Sequence, residues 1–164
     1  MREFNLRNIT MMALVAIALI QNGAQLFALS IIARTVSKAP PRSFAILSGE
    51  YAYDSRVFWE TVPPITLLLF LIALVANWRT ARRKFLLVAL GLFIAGGLFA
   101  GLYLEPMFDA MISKGYADHV DPVMQRQAAT WYTIDWATWA VGFAGCLILL
   151  LAFNQPIARE ESPK

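Results

Sequence analysis

The sequence predicts an all-α fold: a polytopic membrane four-helix bundle with two longer outer loops forming a cap. Three observations predict it. The composition leaves the soluble range, four apolar stretches are each long enough to cross a bilayer, and one short connection is purely basic. Of the 164 residues, 59% are hydrophobic and 15% charged, with a mean hydropathy of +0.56. A soluble domain has about 45–50% apolar and about 25% charged residues. The length suits one transmembrane domain over residues 1–164, and a lipid bilayer is its first expected partner.

The four stretches run from about Ile9 to Ala33, Val57 to Asn77, Phe85 to Leu104 and Trp131 to Phe153. Crossing about 30 Å of hydrocarbon takes about 20 helical residues. Helices are required, because an open strand would leave its backbone groups unsatisfied in lipid. In the first stretch, Arg2 and Arg7 precede the short apolar run Met11–Ile20, and the polar Gln21-Asn22-Gly23-Ala24-Gln25 follows it like a cleavage region. Leu26–Ala33 then resumes the apolar run, so a retained first helix is expected.

Pro63-Pro64 lie inside the second stretch. A helix beginning at Pro63 would keep about 15 residues, or about 22 Å, which is too short to cross. The helix is therefore expected to start before the prolines and kink there, freeing carbonyls near Trp59 and Glu60. The third stretch carries Gly91, Gly96, Gly97 and Gly101, and the fourth Gly142 and Gly145. Gly97 and Gly101 form a small-xxx-small pair, which reads as a packing seam for another helix. Cys146, the single cysteine, lies in an apolar run and reads as a small buried residue, without a disulfide framework.

The connection Arg79-Thr80-Ala81-Arg82-Arg83-Lys84 has four basic residues and no acidic one, which marks the cytoplasmic side. The N- and C-termini then lie on that side too, and the expected location is a bacterial inner or plasma membrane. With Arg2, Arg7, Arg159 and Lys164 this side holds eight Lys/Arg, against six (Arg34, Lys38, Arg42, Arg56, Lys114 and Arg126) in the outer loops. Trp59, Trp131, Trp136 and Trp139 gather near the outer interface and Trp78 near the inner one, as an aromatic belt predicts. The outer connections, about 34–56 and 105–130, are long. Each is expected to contain a short interfacial helix. Phe44, Ile46, Leu47, Tyr51 and Tyr53 would supply the apolar face of one, and Phe108, Met111, Ile112 and Tyr116 that of the other.

Alternation of the spans brings Glu60, Glu105 and Asp135 to one face of the membrane, whichever way the chain is oriented. Eight of the eleven acidic residues map to that side. An ionised carboxylate near hydrocarbon is costly and marks a candidate site. Gln21, Asn22 and Gln25 reach the same half of the bundle, with Gln21 and Gln25 on one helical face. Three readings of the carboxylates stand side by side: headgroup-level charges, a hydrogen-bonded network fixing helix register, or a pocket in which one carboxylate accepts a proton. Glu60 and Asp135 lie about a turn inside their spans and fit the last two; Glu105 fits the first. His119, the only histidine, sits in a loop with Asp118 and Asp121. Such a set is poor in nitrogen and sulfur for zinc or copper, and no metal is expected. No P-loop, dinucleotide glycine motif or Ser/His/Asp spacing appears, and no cofactor is expected. A net charge of +3, with no basic run interleaved with aromatics, argues against nucleic acid as a partner.

The third-span exit Gly101-Leu102-Tyr103-Leu104-Glu105-Pro106, followed by an amphipathic loop, and Gln125-Arg126-Gln127-Ala128-Ala129-Thr130-Trp131-Tyr132 at the last span carry a resemblance. This pattern is similar to the anthrone-oxygenase-like family of small four-helix integral membrane proteins. The resemblance implies a membrane bundle and, for a few fungal members, cofactor-free oxidation of anthrones to anthraquinones. The chain departs from the pattern at Asp109, where an asparagine is usual. It departs again at Thr133-Ile134-Asp135, where a histidine and then an arginine often follow the tryptophan.

The expected function is therefore a small apolar or aromatic molecule bound in an outer-facing pocket. Glu60 and Asp135 would be its polar walls, Glu105 its rim, and Trp59, Tyr103, Trp131 and Trp136 its apolar walls, with Gln21, Asn22 and Gln25 below. The alternatives are a non-catalytic membrane subunit that meets a membrane-protein partner or a second copy of itself, and a proton- or ion-coupled carrier.

Overall fold

The structure, a computed structural model, describes residues 6–155. Four helices, each long and apolar enough to cross a membrane, make this an integral membrane protein: α1 Leu6–Val36, α2 Arg56–Ala76, α3 Arg82–Ile112 and α4 Pro122–Phe153. No strand occurs among the described residues. The helices form a ring in chain order, α1 against α2 and α4, α3 against α4, with α2 and α3 packed most lightly.

Helix length explains the architecture. With 21 residues, α2 is about 31 Å long and only just spans the hydrocarbon. The other three have 31 or 32 residues, about 46–48 Å each, so about 16 Å of each must project beyond the hydrocarbon. All three surpluses lie at the end away from the termini. Hydropathy placed the end of the third span at Leu104 and the start of the fourth at Trp131. The helices instead run on to Ile112 and begin at Pro122.

Both extensions have a local cause. Pro106 has no N–H to offer Leu102, and the turn directly before it, Ala100–Leu104, widens to a π-helix so that the helix continues. A second π segment, Ala28–Ala33, widens α1 at its projecting end. At the start of α4, Asp121 accepts hydrogen bonds from the Val123 and Met124 N–H groups, and Pro122 occupies the first turn. This is an aspartate N-cap followed by a proline that needs no donor.

Two separate apolar cores result. The lower one, in the half of the bundle near the termini, packs Met11, Leu14, Phe70, Leu86, Ala89 and Leu149 from all four helices. The upper one packs Leu29, Val36, Leu104, Met111, Met124 and Trp131 around Phe44 and contains no residue of α2. Phe44 comes from the 3₁₀ turn Arg42–Leu47, the expected short helix of the first loop. Backbone and side-chain bonds fasten that loop to α4: Asp121 N–H to the Pro40 carbonyl (2.9 Å), Gln125 Nε2 to the Lys38 carbonyl (2.7 Å) and Ser37 Oγ to the Ala128 carbonyl (3.3 Å). Tyr51 and Tyr116, expected on the apolar faces of short interfacial helices, lie outside any helix and are exposed, at 93% and 51%.

The end near the termini is closed by Arg82, which is 3% exposed. Its guanidinium donates to Asn8 Oδ1 (2.9 Å) on α1 and to the Phe153 (3.0 Å) and Gln155 (3.2 Å) carbonyls at the end of α4. A cation capping the last carbonyls of a helix meets the negative end of its dipole. The basic connection thus also ties three helices together.

α2 begins two turns before Pro63-Pro64 and passes through them, as its length requires. The glycines of α3 make no close contact within this chain. A Cβ at Gly91, Gly96, Gly97 or Gly101 would meet nothing within 4 Å, so none is a seam inside this chain. The close approach is at Gly142, where a Cβ would sit 3.0 Å from Asn22 Nδ2. Cys146 is buried, its thiol 3.6 Å from the Ala18 carbonyl.

Candidate functional site

Between the two cores lies a layer of polar side chains. Gln21 Oε1 accepts from Thr66 Oγ1 of α2 (2.8 Å), and Gln25 Nε2 donates to Asp135 Oδ1 of α4 (3.2 Å). Asn22 and Trp139 exchange bonds: Asn22 Nδ2 donates to the Trp139 carbonyl (3.5 Å), and the indole N–H donates to the Asn22 carbonyl (3.2 Å). Successive turns of α1 therefore bridge to α2 and to α4. Gly142, lacking a side chain, lets the Asn22 amide fit against α4. Gln21, Asn22 and Gln25 line one hollow, which none of Glu60, Glu105 and Asp135 shares. Thr66 and Trp139 join them unannounced: the sequence marked Trp139 only as a belt residue, and Thr66 carries no signal beyond its place in an apolar span.

That hollow is a narrow crevice of about 70 Å³ between the helices. Its upper part is walled by Gln21, Asn22, Gln25 and Thr66, and its lower part by Phe70, Ala89, Phe93 and Leu149. A second hollow, of about 330 Å³, is a groove on the capped side between α1 and the start of α2. Ala24 and Phe27 form one wall, Phe58 and Trp59 the other, and Tyr53, Asp54 and Ser55 close the end. It exists because the upper core takes nothing from α2, whose first turns stand apart from the cap. Arg56 holds Asp54 through Nε and Nη2, the latter at 2.6 Å from Oδ2. That guanidinium, together with the Arg56 backbone N–H, lowers the Asp54 carboxyl to about 2, so it stays ionised.

The three carboxylates do not form the walls of one pocket. Asp135 is half-buried under Gln25, whereas Glu60 and Glu105 are exposed. None of the three lines the crevice or the groove. The reason is helical phase: alternation fixes the depth of a residue and leaves its direction around the helix open.

The aromatic residues divide in the same way. Trp59 lines the groove. Trp131 belongs to the upper core, stacked on Phe108 (4.8 Å) with its indole N–H on the Leu104 carbonyl (3.2 Å). Tyr103 is 48% exposed and stacks on Phe99. Trp136 sits edge-on between Tyr132 and Trp139 along α4, half-buried. His119 is exposed, and no three His, Cys, Asp or Glu side chains gather among the described residues.

The fold and this layer define a class: an integral membrane four-helix bundle with a folded cap and a polar layer beneath it. Comparison with known proteins adds no narrower family, since no family model, no curated protein and no solved structure matches the chain.

Proposed function

We propose that the protein binds a small apolar or aromatic molecule in the groove between α1 and α2. The observation that carries this reading is the size and lining of the groove. Phe27, Tyr53, Phe58 and Trp59 surround about 330 Å³, with Asp54 and Ser55 as the polar groups. Small-molecule sites are typically about 300–1,000 Å³, mostly apolar, with a few polar groups that fix orientation. The crevice, at about 70 Å³, is too small for an anthrone-sized ring system. A ring system of that size would therefore sit in the groove. There Asp54, held ionised by Arg56, is too weak a base to abstract a proton, and Glu60 is not part of the lining, so the reading is one of binding.

The density of positive charge at Arg79, Arg82, Arg83 and Lys84 supports an orientation with both termini in the cytoplasm, in a bacterial inner or plasma membrane. The groove then opens to the outer side. The non-catalytic subunit reading has its own support in α3. Gly91, Gly97 and Gly101 have open space over their Cα atoms, and Leu98 and Leu102 are 58% and 78% exposed. A helix of a partner, or of a second copy, could approach closely there.

The test is purification in detergent followed by mass spectrometry of bound organic molecules from wild type, Trp59→Ala, Glu60→Gln and Asp135→Asn. The groove reading predicts a co-purifying apolar molecule that Trp59→Ala loses and Asp135→Asn retains. An unchanged bound set in Trp59→Ala, or none in wild type, overturns it. In the second case, loss of a complex on Gly97→Leu would establish the subunit reading.

A further inference from the structure

The turn between α2 and α3 lies at the level of the lipid headgroups. With 21 residues, α2 only just spans the hydrocarbon, so the chain from Asn77 to Lys84 emerges at its edge. Hydrogen bonds hold that stretch in one shape. Asn77 Nδ2 donates to the Ala73 carbonyl (2.9 Å), Thr80 Oγ1 to the Asn77 carbonyl (2.8 Å) and the Arg82 N–H to Thr80 Oγ1 (3.3 Å). Asn77, Thr80 and Arg82 are buried. Arg79 and Lys84 are left exposed, and the guanidinium of Arg83 lies 5.5 Å from the centre of the Trp78 ring.

These three cations are not balanced. Arg79 and Lys84 have no hydrogen-bond or ion-pair partner among the described residues, and Trp78 alone engages the Arg83 guanidinium. The described carboxylates, from Glu50 to Asp135, all belong to the polar layer or the capped side, and Glu3, Glu160 and Glu161 lie outside the described residues. An arginine laid on an indole face keeps its fork of N–H groups free for a phosphate. On the hydrocarbon side of the cations the surface turns aliphatic. Ile72 and Val75 near the end of α2 are exposed, Val75 at 76%, as are Leu87 and Val88 near the start of α3. Cations above an aliphatic surface fit a molecule with an anionic head and apolar chains. A free anion or an acidic peptide would use only the cations.

We propose that the α2–α3 turn is a binding site for an anionic phospholipid. Arg79, Arg83 and Lys84 are the donors to its phosphate, and Trp78 holds the Arg83 guanidinium at headgroup depth. The acyl chains lie along the aliphatic surface beneath. The ammonium of a zwitterionic lipid meets the same cations with like charge, so the turn selects by net headgroup charge.

The experiment is native mass spectrometry of the full chain, released from detergent micelles that contain phosphatidylglycerol and phosphatidylcholine in equal amounts with the same acyl chains. A cation beside an anionic headgroup is worth about a fivefold change in partition. The wild type retains phosphatidylglycerol over phosphatidylcholine by at least about tenfold. Arg79→Gln, Arg83→Gln and Lys84→Gln each cut that preference several-fold, and the triple variant removes it. Lys114→Gln/Arg126→Gln, which takes two exposed charges from the capped side, keeps it. Inorganic phosphate and chloride at equal ionic strength weaken it alike, through screening. Equal retention of the two lipids by the wild type overturns the proposal, as does an undiminished preference in the triple variant. Selective displacement by phosphate would make the turn a free-anion site and overturn the lipid assignment. The wild-type comparison stands even where a variant does not fold, and it is independent of whether the groove binds an organic molecule.

Discussion

The two apolar cores are built from the same helices but answer to different solvents. By helix length and composition the lower core belongs to the part that crosses the bilayer, and many of its neighbours are exposed leucines, isoleucines and valines, such as Leu68, Val75 and Val88. In lipid no hydrophobic force drives helix against helix, so packing and hydrogen bonds must hold this half together. The Arg82 clasp and the polar layer supply those bonds. The helix lengths carry the upper core beyond the hydrocarbon, and where water reaches it burial itself is the driving force. Phe44, Met111 and Met124 are almost fully buried within it, each on a segment whose other face is exposed and polar. The groove and the crevice lie where one regime gives way to the other.

The largest contrast should appear on truncating one side chain in each core. Phe44→Ala removes a 2% exposed ring from the water-solvated core and should cost about 3–5 kcal/mol, the transfer term plus the cavity term. Leu86→Ala empties a comparable place in the lower core, but its unfolded reference stays in lipid. The transfer term then vanishes, and about 1–3 kcal/mol of cavity cost remains. Chemical denaturation in mild detergent measures both, and equal losses would mean that the two halves share one solvent.

A smaller effect separates the glycines. Gly142→Ala places a methyl 3.0 Å from Asn22 Nδ2 and should cost about 1 kcal/mol as the amide yields and its bond to Trp139 weakens. Gly97→Ala meets open space and should be neutral or slightly stabilising through helix propensity. Trp131→Phe keeps the stack on Phe108 and removes the indole bond to the Leu104 carbonyl, for about 1 kcal/mol. The thermal midpoint reports each of these.

The smallest effect is one of pH. Backbone N–H bonds from Val123 and Met124 hold the Asp121 carboxyl below its ordinary value. The folded chain therefore takes up this proton less readily than the unfolded chain. The stabilisation is complete above the ordinary carboxylate pKa of about 4 and fades as pH falls through the lowered one. Asp121→Ala should lower stability at neutral pH and flatten its acid dependence, read as unfolding midpoints against pH. A steeper acid loss in the variant would contradict the N-cap assignment.

The lower half of the molecule was legible because lipid imposes a coarse rule, a run of apolar residues of fixed length, and the four stretches meet it. The cap was not, because its helices carry charge on one face and hydropathy cannot tell such a segment from a loop. The helix start at Asp121-Pro122 went unread in favour of hydropathy, and Glu105-Pro106 read as the exit of the third span, overridden by the π turn before it. In the site, depth was legible and direction was not. Gln21 and Gln25, four residues apart, share the crevice as their spacing implies. Glu60 lies at the depth expected but is exposed, since a shift of one or two residues, about 100° each around the helix, decides between pocket and surroundings. The groove was invisible beforehand, because it follows from a difference in length between α2 and its three neighbours.

A folded cap on a membrane-spanning bundle, with the polar layer between them, has a signature in backbone protection. Amide hydrogen exchange on the full chain in detergent tests it most directly, read over Leu29–Val36, Glu105–Ile112 and the first turns of α4. Slow exchange is expected there, through Ile112 and from Met124 onward, with fast exchange confined to the loop around Tyr116. Fast exchange from Glu105 through Thr130 would make this region a loop and leave the site without its cap.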